Sequence, residues 1–283
     1  VPALPHPPPP AHAIKDKSVL ITGAGRGIGK RIAIGFAAAG ARIGLLARSK
    51  AELDLADLEI EHNHGSSLRL RADVRDYEQV AAAVDRMRVH YGGVHLLVCA
   101  AGIPGPIGPF SELDPKHLGD VIQTNLLGAM NACRAVLPEM VRRRSGKIIL
   151  LAGNGGDQPR PAFSPYAASK AALVRFAETL AEEVAADNVQ VNCINPGATY
   201  TAMTDEILRA GELAGEKEHR EAAQVRTTGG TPHDRQIALC LFLASDRSNH
   251  ISGKLLNISD NWKRLEHQSL TPESFALRRV MKV

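Results

Sequence analysis

The chain has 283 residues, 44% apolar but only 4% aromatic, with 34 basic against 30 acidic side chains and a net charge of +4. This length allows one large domain with a core built from Ala, Val, Ile and Leu. The even charge balance argues against nucleic acid or a membrane surface as partner, and no apolar run is long enough for a membrane span.

Residues 1–14 are Pro-rich and lack the basic and apolar regions of a signal peptide, so they read as an extended, disordered tail. From Lys17 a βα rhythm sets in. Strands are predicted at 18–22, 42–47, 67–72, 94–100, 146–151, 189–194 and 254–258, and helices at 27–39, 51–62, 77–91, 115–143, 165–186 and 232–244. Short, nearly continuous apolar strands alternating with helices predict an α/β fold over 15–260. It is doubly wound, with a mostly parallel seven-stranded sheet and helices on both faces, and so Rossmann-like. Ligands of such sheets bind beyond the carboxyl ends of the strands. The charged stretch 202–230 breaks the rhythm and reads as a helical flap. Residues 261–283, with Trp262, form a C-terminal extension.

Cys99, Cys133, Cys193 and Cys240 stand far apart, with no C-x-x-C or Cys/His spacing. Neither a metal site nor a disulfide framework is expected, which fits a reducing, cytoplasmic setting. The eleven histidines form no cluster. The basic run Arg142-Arg143-Arg144 sits at a helix end, where it complements the helix dipole.

The run Thr22-Gly23-Ala24-Gly25-Arg26-Gly27-Ile28-Gly29 lies between the first strand and the first helix. Glycines there let the backbone approach a pyrophosphate, and the helix N-terminus supplies N–H donors. The spacing is T-G-x-x-x-G-x-G, through Gly23, Gly27 and Gly29. The second strand ends Leu46-Ala47-Arg48-Ser49, without the acid that would hold a ribose 2′-hydroxyl. Arg48, with Ser49 beside it, suits a 2′-phosphate, and Arg26 adds a second cation. NADP(H) is the expected cofactor; two solvated surface arginines are the alternative.

Tyr166 and Lys170 are four apart on the helix predicted from 165, hence neighbours on one face. A free phenol has a pKa of about 10, and a nearby ammonium favours the phenolate. The pair is therefore a candidate proton-transfer device, or an ordinary contact on a surface helix.

Taken together, these motifs resemble the short-chain dehydrogenase/reductase family over residues 15–258. The resemblance implies that Asp73 and Val74 contact adenine and that Ala100, Ala101 and Gly102 let the backbone approach the cofactor. It implies that Asn125 holds a proton-relay water near the lysine. Tyr166 and Lys170 become the catalytic pair, Lys170 lowering the tyrosine pKa and binding ribose. Pro196, Gly197, Thr199 and Thr201 form the turn at the nicotinamide carboxamide. It further implies a homodimer or homotetramer paired through the two long helices, and a small carbonyl or alcohol substrate. Tyr200, Met203 and the stiff run 103–109 are expected around the substrate.

The chain also departs from the family pattern. Cys99-Ala100 replaces two asparagines, which weakens the expected strand tethering. Ser259-Asp260-Asn261-Trp262 replaces an Asp-Gly-Gly. The catalytic serine is absent: Leu150-Leu151-Ala152-Gly153-Asn154-Gly155-Gly156 carries no hydroxyl, and Ser164 reads as the start of a helix. One lost donor to the substrate oxygen costs about 10²–10³ in rate. Asn154, through its amide N–H₂, is the candidate replacement. Two functions remain open: an NADP(H)-dependent alcohol/carbonyl oxidoreductase, or a cofactor-binding protein with weak or lost hydride transfer.

Overall fold

In the computed structural model, residues 14–278 are described; most of the predicted tail, residues 1–13, lies outside them. Ile14, assigned above to that tail, is buried against the core. The strands are β1 (Ser18–Thr22), β2 (Arg42–Ala47), β3 (Ser66–Arg71), β4 (Leu96–Cys99), β5 (Gly146–Leu151), β6 (Val189–Asn195) and β7 (Leu255–Asn257). They form one sheet in the order β3-β2-β1-β4-β5-β6-β7. Every neighbouring pair is parallel. Strand order reverses between β1 and β4, so their carboxyl ends diverge into a crevice.

Period-two alternation sorts the strand side chains between two cores. Val19 and Ile21 face one layer with Ile43, Leu45 and Val98. Leu20 faces the other with Leu46, Leu97 and Leu150. The first layer is covered by α1 (Gly27–Ala38), α2 (Lys50–His62) and α9 (His233–Ala244), which contribute Ile32 and Phe36, Leu53 and Ile60, and Leu239 and Phe242. The second is covered by α3 (Tyr77–Tyr91), α5 (Gly128–Arg142) and α6 (Ser164–Glu183), through Val80 and Met87, Val136 and Met140, and Leu173 and Leu180. A fully buried side chain of this size contributes about 1.5–3 kcal/mol.

The helix predicted at 115–143 is interrupted. It consists of α4 (Pro115–Ile122), a π-turn (Gln123–Leu127) and α5. The backbone is right-handed on both sides of this turn, so the two helices run on into one another. Ser164 opens α6 as expected. The flap consists of α7 (Ala202–Ala210), a 3-10 turn (Gly211–Ala214) and α8 (Glu216–Thr228). Its ends are stitched together: Tyr200 N–H donates to the Gly229 carbonyl at 3.2 Å, and Thr231 N–H to the Ala198 carbonyl at 2.7 Å. The C-terminal extension adds a short helix, α10 (Trp262–Leu265), which packs into the first core layer.

Candidate active site

The carboxyl ends of β1, β4, β5 and β6 open into one cleft of about 880 Å³, covered by flap residues that include Met203, Ile207 and Ala222. Every residue assigned above to the cofactor, from Gly23 to Thr201, lies on its wall. Gly23 has φ +67, and a Cβ there would stand 2.7 Å from the Ala101 backbone, so only glycine lets the loop pack against the turn after β4. The Thr22 hydroxyl accepts from the Ala101 N–H at 3.3 Å. That bond ties the two strand ends at the point where the asparagines are missing. The N-terminus of α1 opens onto the same floor.

At the far end, Arg26 lies 3.6 Å from Glu52 and Arg48 lies 3.9 Å from Asp73. Ser49 caps α2, its Oγ accepting from the Glu52 N–H at 3.3 Å. Arg75 donates to Asp73 Oδ2 at 3.0 and 2.7 Å and to Oδ1 at 3.1 Å, and these bonds, chiefly, hold the Asp73 carboxyl below its ordinary value. The Val74 carbonyl accepts from Asn131 at 2.9 Å. A glycine floor without room for side chains, a helix N-terminus and two cations fit a nicotinamide dinucleotide.

Tyr166 and Lys170 lie on the buried face of α6, and both line the cleft. Lys170 Nζ donates to the Leu151 carbonyl at 2.7 Å and sits 5.6 Å from the Tyr166 ring centre. Burial pushes Lys170 down to about 8. The expected lowering of the Tyr166 pKa by Lys170 does not appear. Burial raises it, while the charge of Arg160 pulls it down and that of Glu218 pushes it up. The reason is that both members of the pair are desolvated, which disfavours the charged form of each.

Asn125 lies behind the cleft wall. Its Oδ1 accepts from the Ile103 N–H at 2.8 Å, and its Nδ2 donates to the Ile103 carbonyl at 3.0 Å and to Ser169 Oγ at 3.1 Å. Both amide protons are engaged in clamping the turn after β4 to α6.

Gly153 has φ +85, and a Cβ there would meet the Tyr166 hydroxyl at 3.0 Å. This is the position from which a side chain would reach the tyrosine, and it carries none. Asn154 follows it, exposed to the cleft. Its Oδ1 accepts from Asn195 Nδ2 at 3.2 Å.

Three cleft residues escaped the sequence reading. Arg160 donates twice to Glu218 of α8, at 2.9 and 2.7 Å, with the two side chains only 9% and 16% exposed. Its guanidinium stacks 4.0 Å above the Phe163 ring and lies 5.2 Å from that of Tyr166. Arg31, one turn into α1, donates to Thr199 Oγ1 at 3.2 Å and to the Tyr200 carbonyl at 3.1 Å. Thr199 is therefore engaged at the base of the flap, where its hydroxyl also reaches the Gly229 carbonyl at 3.3 Å. Thr201 instead packs toward the glycine loop, its Cγ2 3.4 Å from the Cβ position of Gly27. The spacing of Arg31 from the loop was a usable signal; Arg160 and Glu218 had none.

Fold and cleft together define a Rossmann-like α/β oxidoreductase. The chain belongs to the short-chain dehydrogenase/reductase family, whose short chain dehydrogenase signature matches residues 17–211. It is 36% identical over 248 residues to oxidoreductase UcpA of Salmonella typhimurium, covering 85% of this chain and 92% of that protein. It is 32% identical over 247 residues to the 3-oxoacyl-[acyl-carrier-protein] reductase FabG of Chlamydia muridarum, covering 86% and 96%. Among solved structures, a variant of actinorhodin polyketide ketoreductase with NADPH superposes with a TM-score of 0.79 at 28% identity, covering 86% of this chain and 97% of the other.

Proposed function

We propose that the chain is an NADP(H)-dependent enzyme interconverting a secondary alcohol and a ketone or aldehyde carbonyl, with Tyr166 as general acid/base. The observation that carries this reading is Tyr166, beside Lys170, facing the same cleft as the glycine loop. A bound reduced nicotinamide supplies hydride to the carbonyl carbon. Tyr166 gives its phenolic proton to the substrate oxygen as charge builds there. The Asn154 N–H₂ donates to the same oxygen, in place of the absent hydroxyl. Lys170, anchored on Leu151, holds ribose hydroxyls. Asn125 positions Lys170 through Ser169 and the Ile103 turn. Thr201 is better placed than Thr199 for the carboxamide, because Thr199 is already bonded to Arg31.

Arg26 and Arg48, and the absence of an acid at the end of β2, support NADP(H) over NAD(H). The NADPH in the ketoreductase agrees with this preference. The substrate is a small molecule, and the assembly a homodimer or homotetramer built on the faces of α5 and α6.

The test uses NADPH with phenanthrenequinone as a broad carbonyl probe. Tyr166→Phe is expected to lower kcat about 10²–10⁴-fold while NADPH binding holds. Arg48→Ala should weaken NADPH about tenfold to a hundredfold, through one charge-assisted bond, and leave NADH unchanged. Undiminished turnover in Tyr166→Phe removes the mechanism; equal wild-type affinity for the two cofactors removes the preference. The bare Gly153 position supports a second reading, a cofactor-binding protein with weak or lost hydride transfer. That reading predicts NADPH binding without turnover in the wild type.

A further inference from the structure

We propose that Asn195 is a positioning residue that decides which end of the Asn154 amide faces the substrate. The inference rests on the reading of Asn154 as donor to the substrate oxygen. The two ends of an asparagine amide are nearly the same size, but only one can donate. In a cleft that must stabilise a developing negative charge, the wrong end would repel it. Something must therefore set the amide's polarity.

Asn195 is the last residue of β6 and is 7% exposed. Its Oδ1 accepts from the Gly197 backbone N–H at 3.2 Å. A backbone N–H can only donate, so the identity of the atom it meets is fixed as oxygen. The other end of Asn195 is then Nδ2, and it meets Asn154 at 3.2 Å. An N–H₂ group can only donate, so the Asn154 atom it meets is also oxygen. The polarity of one backbone N–H is thus passed through two amides in series, leaving Nδ2 as the end of Asn154 available to the cleft. Asn154 follows Gly153, whose Cβ position is 3.0 Å from the Tyr166 hydroxyl. The relay begins on Gly197, which is itself on the cleft wall. The turn expected to hold the nicotinamide therefore also sets the donor for the substrate oxygen.

Asn195→Asp separates this role from simple packing. The carboxylate is isosteric and still accepts from Gly197, but it has nothing to donate. Asn154 would turn its N–H₂ toward it and present a carbonyl to the substrate. With NADPH and phenanthrenequinone, kcat is expected to fall at least as far as in Asn154→Ala, about 10²-fold, with NADPH affinity unchanged. The double variant should be no slower than Asn154→Ala alone, since both changes remove one interaction. Lowering the pH should restore Asn195→Asp but not Asn154→Ala, because a protonated carboxyl regains a donor. Its midpoint should lie above the ordinary value of about 3.9, because the site is buried. In the free protein, the Asn195 side-chain amide NMR signals should be protected from exchange and lose that protection in Asn154→Ala.

Wild-type kcat in Asn195→Asp, additive losses, or no recovery in acid would each overturn the positioning role. So would an Asn195 amide whose protection is indifferent to Asn154. Wild-type kcat in Asn154→Ala would instead defeat the donor reading, and the positioning role would fall with it. The NMR result separates the two, because the relay can be present whether or not the donor matters.

Discussion

Burial shifts lysines and thiols of this protein in ways that act oppositely on stability. Lys147 and Lys170 are pushed down from 10.5 to about 8. Between those values the unfolded chain binds more protons than the folded one, so stability rises with pH. Cys240 is pushed up from 9.0 to about 12, and Cys133 and Cys193 are raised as well. Above 9.0 the unfolded thiols lose protons that the folded ones keep, so stability falls. Urea denaturation followed across the alkaline range should therefore find stability rising from about pH 8 and greatest near pH 9. A continued rise beyond that would show that the thiols are less buried than described. At this scale the sequence was most readable where chemistry has a fixed spacing. Tyr166 and Lys170 declare themselves four apart, and the glycine loop by its position after a strand. Arg160 does not: it sits between prolines, and its partner is 58 residues further on. Nor did the Tyr166 pKa follow from its neighbour, because spacing reports proximity and not desolvation.

The flap is held at two places of different kind. Its base is stitched by backbone bonds and by Arg31 on Thr199 and Tyr200. Its outer helix, α8, is held to the loop before α6 by Arg160 and Glu218. Phe163, Tyr166, Ile207 and Ala222 share one small apolar cluster beneath it. Removing one partner of a largely buried ion pair leaves the other uncompensated. Glu218→Ala is expected to loosen α8 and raise KM for the carbonyl about tenfold, equivalent to about 1.4 kcal/mol, while NADPH affinity holds. Limited proteolysis within 202–230 should quicken. Unchanged KM and cleavage would mean that the apolar cluster alone closes the flap. The flap was legible as an interruption of the βα rhythm, with its charges marking an outer face. The π-turn was not legible, since Gln123–Leu127 fits a helical pattern as well as its neighbours do.

Across the whole molecule, the seven strands and their order of appearance followed from apolar runs and crossovers, with ends shifted by one or two residues. The role of the C-terminal extension did not, because its contacts reach back to distant elements. Trp262 is 1% exposed, with its ring 5.3 Å from that of Phe242. Lys254 Nζ donates to the Thr271 carbonyl, and Leu277 N–H to Glu178 Oε1, each at 2.7 Å. Ending the chain after Asp260 removes a core aromatic worth about 3–5 kcal/mol. The melting temperature should fall by on the order of 10 °C, read by scanning calorimetry. An unchanged melting temperature would show that the extension is only an appendage.

One bond of that extension has a consequence for assembly. The Leu255 N–H, on the outer side of β7, donates to the Phe275 carbonyl at 2.7 Å. The opposite border strand, β3, carries Arg69, ion-paired at 2.8 Å to Asp54 and at 3.1 Å to Asp57. One border is strapped and the other is charged, the two common defences of a sheet edge. A second copy that continued the sheet from β7 would first have to displace Phe275 from Leu255. Growth by lateral strand addition is thus opposed at both ends of the ribbon.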